Sequence, residues 1–91
     1  MLQKPRIYAD FQKLDGCGNA ILKTVGTVTD LGKLNISLQE GKFVVLYQPD
    51  INEKGESDPL EVDATIKFSG DHNCWVGVFS HSELCYRSEK P

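Results

Sequence analysis

The residues with the clearest capacity for chemistry lie in the second half of the chain. Asp50-x-Asn52-x-Lys54-Gly55, followed by Glu61, reproduces most of the spacing of a calcium loop. Asp50, Asn52 and Glu61 fall at positions 1, 3 and 12, and Gly55 falls at the sharp turn. Calcium needs oxygen ligands gathered round one point, and an alternating acidic loop supplies them. Lys54, however, places a cation where a ligand oxygen belongs. Ser57 stands where an apolar residue would pack, and Pro59 blocks a following helix. The expectation is a solvated loop, with Asp50, Asn52 and Glu61 as the weak metal candidates.

His72, Cys74, His81 and Cys85 are zinc-ligand types in a spacing that matches no zinc pattern. If the stretch from Cys74 to His81 is extended, its ends lie about 23 Å apart and cannot share an ion. A packed Cys74 and a surface His72 are expected instead. Asp71-His72 sits in a turn, and Ser80-His81-Ser82 lacks a glycine-bearing elbow, so no nucleophile, base and orienting group can be named. Gly16-x-Gly18 lacks the third glycine and the long helix of a nucleotide fingerprint. The reading is a non-enzyme without a cofactor. Three cysteines, Cys17, Cys74 and Cys85, form an odd set without C-x-x-C, which points to free thiols in a reducing cytoplasm.

A single domain must position these residues, since the chain has 91 residues. A chain of this size buries about 60–65% of its unfolded surface, so modest stability is expected. No apolar run reaches the length of a membrane span, and the N-terminus lacks the apolar core of a signal peptide. The net charge is −3, divided as +2 over residues 1–49 and −5 over residues 50–91. Scattered basic residues and an acidic pI argue against nucleic acid. The division of charge offers a weak head-to-tail attraction between copies, screened at physiological salt.

The strongest structural signal covers residues 60–79. Leu60, Val62, Ala64, Ile66 and Phe68 alternate with Glu61, Asp63, Thr65 and Lys67, which predicts a strand with one wet face and one buried face. Gly70 to Asn73 are turn formers, and the apolar run 74–79 completes a hairpin. Before it, 6–11 reads as a strand with Ile7, Ala9 and Phe11 on one side. A turn at 15–19 leads to a return strand at 20–25. Thr27 and Asp30 have capping-box spacing for a helix of about two turns carrying Leu31 and Leu34, which Asn35 can end. Ile36 and Leu38 alternate with polar neighbours. Glu40-Gly41 turns into a strand at 42–48 that is apolar on both faces, and 49–59 is a long polar loop. A short helical turn is expected within 81–88, with 1–4 and 89–91 frayed.

Five short strands are too few for an immunoglobulin-like sandwich. They predict a mainly β domain: a small five-stranded barrel or bent antiparallel sheet, SH3-like first and OB-like second. Trp75 and Phe43 are expected to fill its core, with the tyrosines reaching the surface.

Arg6-Ile7-Tyr8-x-Asp10-Phe11, Gly26-Thr27 with Asp30-Leu31, Leu38-x-Glu40-Gly41 and Cys74-Trp75-Val76 together resemble a group of short bacterial all-β proteins of uncharacterised function. The resemblance implies a fold and transfers no functional residue. The functional expectation is a cytoplasmic binding module for another protein or for itself, through Tyr8, Tyr47 and Arg6 together with the outward side of the 60–68 strand, which carries Lys67. The alternative readings are nucleic-acid binding by Lys4, Arg6, Lys13 and Lys23 with Tyr8 stacking on bases, and metal binding through the 50–61 loop.

Overall fold

The computed structural model describes residues 4–71 and 73–89. The expected frayed ends lie partly outside this range. Within it, Lys4 is held by an ion pair with Asp63, at 3.1 Å.

The elements in chain order are β1 (Arg6–Tyr8), β2 (Ala20–Ile21), α1 (Val25–Leu34), β3 (Phe43–Gln48), β4 (Leu60–Ser69), β5 (Cys74–Val78) and β6 (Cys85–Tyr86). Short 3₁₀ turns, His81–Glu83 and Arg87–Glu89, flank β6. The strand order is β1-β3-β4-β5-β2, with β6 added to β4. The β4–β5 hairpin forms as predicted, and the protein is mainly β.

Three expectations about the sheet are corrected. The sheet has six strands and is open, so it is not a closed five-stranded barrel. It is mixed, because β1 runs parallel to β3. The expected hairpin of 6–11 with 20–25 does not form: β1 pairs with β3 and β2 with β5, and it is residues 13–15, beyond the first segment, that meet 19–21 through a Leu14–Ala20 bridge and the Asp15–Asn19 and Ile21–Lys13 hydrogen bonds. Local turn chemistry at 15–19 is present, but long-range pairing with the β3–β4 and β4–β5 ladders takes both strands elsewhere. No strand forms at Ile36 or Leu38.

One face of the sheet carries the core. Ile7, Ala9, Ala20, Leu22, Val44, Leu46, Val62, Ala64 and Ile66 are buried in a single cluster. Both end strands of the order contribute to it, so the sheet curls round this face. Leu31 from α1, Leu38, Phe79 and Leu84 pack against its rim. Phe43 departs from expectation. It faces the other side and is 64% exposed, because the period-two pattern buries Val44 and Leu46 instead. Phe68 lies past the end of the core and is 49% exposed. Its ring meets the half-buried Trp75 edge-on, with centroids 5.3 Å apart.

α1 starts earlier than the capping-box spacing predicts. Thr24 is the N-cap and its hydroxyl accepts from the Thr27 amide. Thr27 is 0% exposed, and its hydroxyl donates to the Tyr8 carbonyl (2.6 Å). The Asp30 carboxylate accepts from the Tyr8 amide (2.9 Å). Hydrogen bonds from Ala9 to Tyr47 and from Val45 to Pro5 turn the backbone of alternate β1 residues toward β3. Tyr8 therefore presents its amide and carbonyl to the outer edge, where Thr27 and Asp30 occupy them. The helix blunts an edge strand with side chains instead of a further strand. Gly26 permits this approach, since a Cβ there would lie 2.5 Å from the Tyr8 ring. Asn35 ends the helix in the left-handed conformation, at φ 53°.

Candidate functional site

The structure brings together three of the four residues expected to meet a partner. Arg6 stacks over the Tyr47 ring, 4.6 Å from its centroid. Tyr8 meets Tyr47 edge-on at 6.1 Å. The Arg6 guanidinium also bonds the Glu61 carboxylate (2.5 Å), and the Tyr47 hydroxyl donates to Asp30 (2.7 Å). That bond is the main cause holding the Tyr47 phenol above its ordinary range, with burial and the Asp30 charge adding to it. Lys67 stands apart, six residues along β4 from Glu61, about 20 Å at the usual strand rise.

The cluster ties β1 to α1 and, across β3, to β4. Arg6 is held by Glu61 and Tyr47, and Tyr8 by its backbone and its ring, so each has a structural role within the cluster. A cleft of about 530 Å³ beside it is lined by Lys4, Pro5, Arg6, Lys33, Leu34 and Tyr47, among others. Glu61 was expected on the wet face, yet it is only 5% exposed. The pairing with Arg6, 55 residues away in sequence, makes that burial tolerable.

The other chemical candidates are dispersed. Asp50 accepts from the Tyr86 hydroxyl (3.0 Å). Asn52 accepts from the Lys54 and Glu56 amides of its own turn, and Glu61 faces Arg6. The calcium-loop spacing therefore does not gather its oxygens. Among the described residues no group of three or more His, Cys, Asp or Glu could hold a metal ion. His72 lies outside the described residues. His81 Nε2 lies 2.9 Å from the Gly18 carbonyl oxygen, and its ring stacks on Phe79. The Ser80 and Ser82 hydroxyls bond each other. Cys17, Cys74 and Cys85 are free: exposed, buried and half-buried in turn.

A different feature emerges on β4. The Gly41 amide donates to the Ile66 carbonyl, and the Ile66 amide donates to Lys42, on the β3 side. Even-numbered β4 residues thus turn their backbone groups toward β3, and odd-numbered ones toward the opposite edge. Two strands share that opposite edge. The β5 ladder ends at Thr65 opposite Val78. The β6 ladder covers Glu61 opposite Cys85, and the Arg87 amide extends it to the Pro59 carbonyl. Asp63 falls between the two.

The chain from β5 to β6 does not fill the gap. Its amides turn inward, Glu83 to the Ser80 carbonyl and Leu84 to the His81 carbonyl. Among the described residues the Asp63 amide and carbonyl have no backbone partner on this edge. Asp63 lines a cleft of about 530 Å³ together with Phe43, Thr65, Val78, Phe79 and Ser80, and with Lys4 and Glu83 among its charged residues. Phe43, 64% exposed, is among its apolar lining residues. The sequence shows that Asp63 is on the wet face. It carries no signal that the neighbouring strand is split, because that depends on where β6 docks.

No protein-family model matches the chain, and neither a curated protein nor a solved structure matches it. No helix among the described residues is long and apolar enough to cross a membrane.

Proposed function

We propose that the protein is a peptide-binding module that takes an extended segment of a partner protein at the Asp63 cleft. The observation that carries this reading is the Asp63 amide and carbonyl, left without a backbone partner among the described residues between the β5 and β6 ladders. A donor and an acceptor on one residue match one residue of an extended chain, as in strand addition. Phe43, Val78 and Phe79 provide apolar contact for the flanking side chain. Lys4, already paired with Asp63, and Glu83 mark a polar rim. A small curled sheet of SH3-like size, the arrangement the sequence favours over an OB-like one, presents a cleft and an edge side by side.

This reading moves the binding surface from Tyr8, Tyr47 and Arg6 to the middle of β4. The outward side of that strand is retained. The protein reading is preferred to nucleic acid because Lys4 and Arg6 are already ion-paired, which reduces the charge available to phosphates.

Selection of random extended heptapeptides on the full chain tests the proposal. Enriched sequences should carry an apolar residue, and Phe43→Ala should weaken them about tenfold, the worth of one partly buried ring. Failure to enrich any peptide, or enrichment indifferent to Phe43→Ala, would contradict it.

A further inference from the structure

We infer that the C-terminal segment 85–89 is a detachable place-holder on the β4 edge, limiting the length of strand that the Asp63 cleft admits. The inference rests on the binding reading above and adds its regulation. β6 occupies the same edge of β4 as the cleft, immediately beside it, and is only two residues long. An incoming strand paired at Asp63 can therefore extend toward Glu61 only where β6 now lies.

The hold on this strap is mostly polar. The Ser88 amide and hydroxyl donate to the two oxygens of Asp58, at 2.9 and 2.7 Å. The Arg87 amide donates to the Pro59 carbonyl (2.8 Å), and the Tyr86 hydroxyl to Asp50. Cys85 is half-buried, and Tyr86 to Glu89 are exposed. The strap thus contributes no fully buried apolar side chain. Among the described residues the last one packed against the core is Leu84, directly before the strap, so residues 85–89 can lift while the core stays closed. Elements with few buried apolar contacts open at lower free energy than the global transition.

Native-state hydrogen exchange on the full chain, followed by NMR, tests the strap without any ligand. The Arg87, Ser88 and Glu61 amides should exchange at least about 100-fold faster than those of Val44 and Ile66. Ser88→Ala and Tyr86→Phe each remove one strap contact. Each should speed strap exchange about two- to tenfold and leave the core rates unchanged. A synthetic peptide with the sequence of residues 83–89 is the probe for the vacated edge. Added to the Ser88→Ala chain, it should shift the Glu61 and Asp63 amides more than in the unaltered chain.

Strap amides that exchange at the core rate overturn the inference, as does a Ser88→Ala effect on strap and core alike. So does a probe peptide that leaves Glu61 and Asp63 unmoved. Because exchange needs no ligand, these results separate the strap from the cleft. A strap that opens as described while Asp63 stays silent to every selected heptapeptide overturns the binding reading, and the place-holder role with it.

Discussion

Asp30→Ala tests the account of how the first strand is held. The Asp30 carboxylate accepts two hydrogen bonds, from the Tyr8 amide at 2.9 Å and from the Tyr47 hydroxyl at 2.7 Å. Hydrogen bonds to a charged group contribute about 1.5–3 kcal/mol each. Asp30, Tyr8 and Tyr47 are all half-buried, so the lower end applies and the loss is about 3 kcal/mol. Tyr47→Phe removes only the hydroxyl bond and should cost about 1.5 kcal/mol. In the double variant the second bond is already absent, so the total stays near 3 kcal/mol and the coupling is about 1.5 kcal/mol. Urea denaturation of the four chains measures these values as shifts in midpoint at constant slope. A loss below about 0.5 kcal/mol for Asp30→Ala, the level of an ordinary surface change, would refute the role given to the helix in sealing the β1 edge. So would strictly additive losses for the pair.

Four further outcomes follow from the same structure. Gly26→Ala should destabilise despite alanine's better helix propensity, by about 1–3 kcal/mol, and thermal melting should show Tyr8→Ala relieving most of that cost. Asn35→Gly should leave the melting temperature unchanged or raised, whereas Asn35→Val should lower it, because only the first is at ease at positive φ. Arg6→Ala should cost more than Lys4→Ala in denaturant titrations: the former removes an ion pair to the buried Glu61 carboxylate, while the latter breaks an exposed pair worth at most about 1 kcal/mol. Tyr47 has a raised pKa in the fold, so its contribution is full below the unfolded phenol value near 10. It is lost as pH rises through the folded value, and a stability–pH series should show a shallower alkaline fall in Tyr47→Phe.

Much of the fold is legible from local pattern. The alternation at Val62, Ala64 and Ile66 places these residues in the core, and the turn formers after Ser69 foretell the β4–β5 hairpin. Asn35 ends the helix as its tolerance of positive φ implies. What the pattern misses depends on distant pairing. Ile7 alternates correctly, but nothing local says that its strand runs parallel to β3. Glu61 looks like any wet-face carboxylate until Arg6 arrives beside it. Phe43 is as apolar as Val44, and only the completed sheet decides which one faces the core. Tyr8, Arg6 and Tyr47 do cluster, but they fasten β1 to its neighbours. The bare backbone at Asp63 is invisible in sequence, since it arises from two short segments docking on one long strand with a gap between them.

Backbone recognition at Asp63 is measured by an NMR titration of the isotope-labelled chain with a selected heptapeptide and its singly N-methylated versions. Strand addition predicts that the Asp63 amide shifts most, together with those of Thr65 and Val78. It also predicts that methylating the one amide facing the Asp63 carbonyl abolishes binding while methylation of its neighbours is tolerated. Binding that ignores N-methylation at every position, or that leaves Asp63 unmoved, would contradict backbone recognition at this edge.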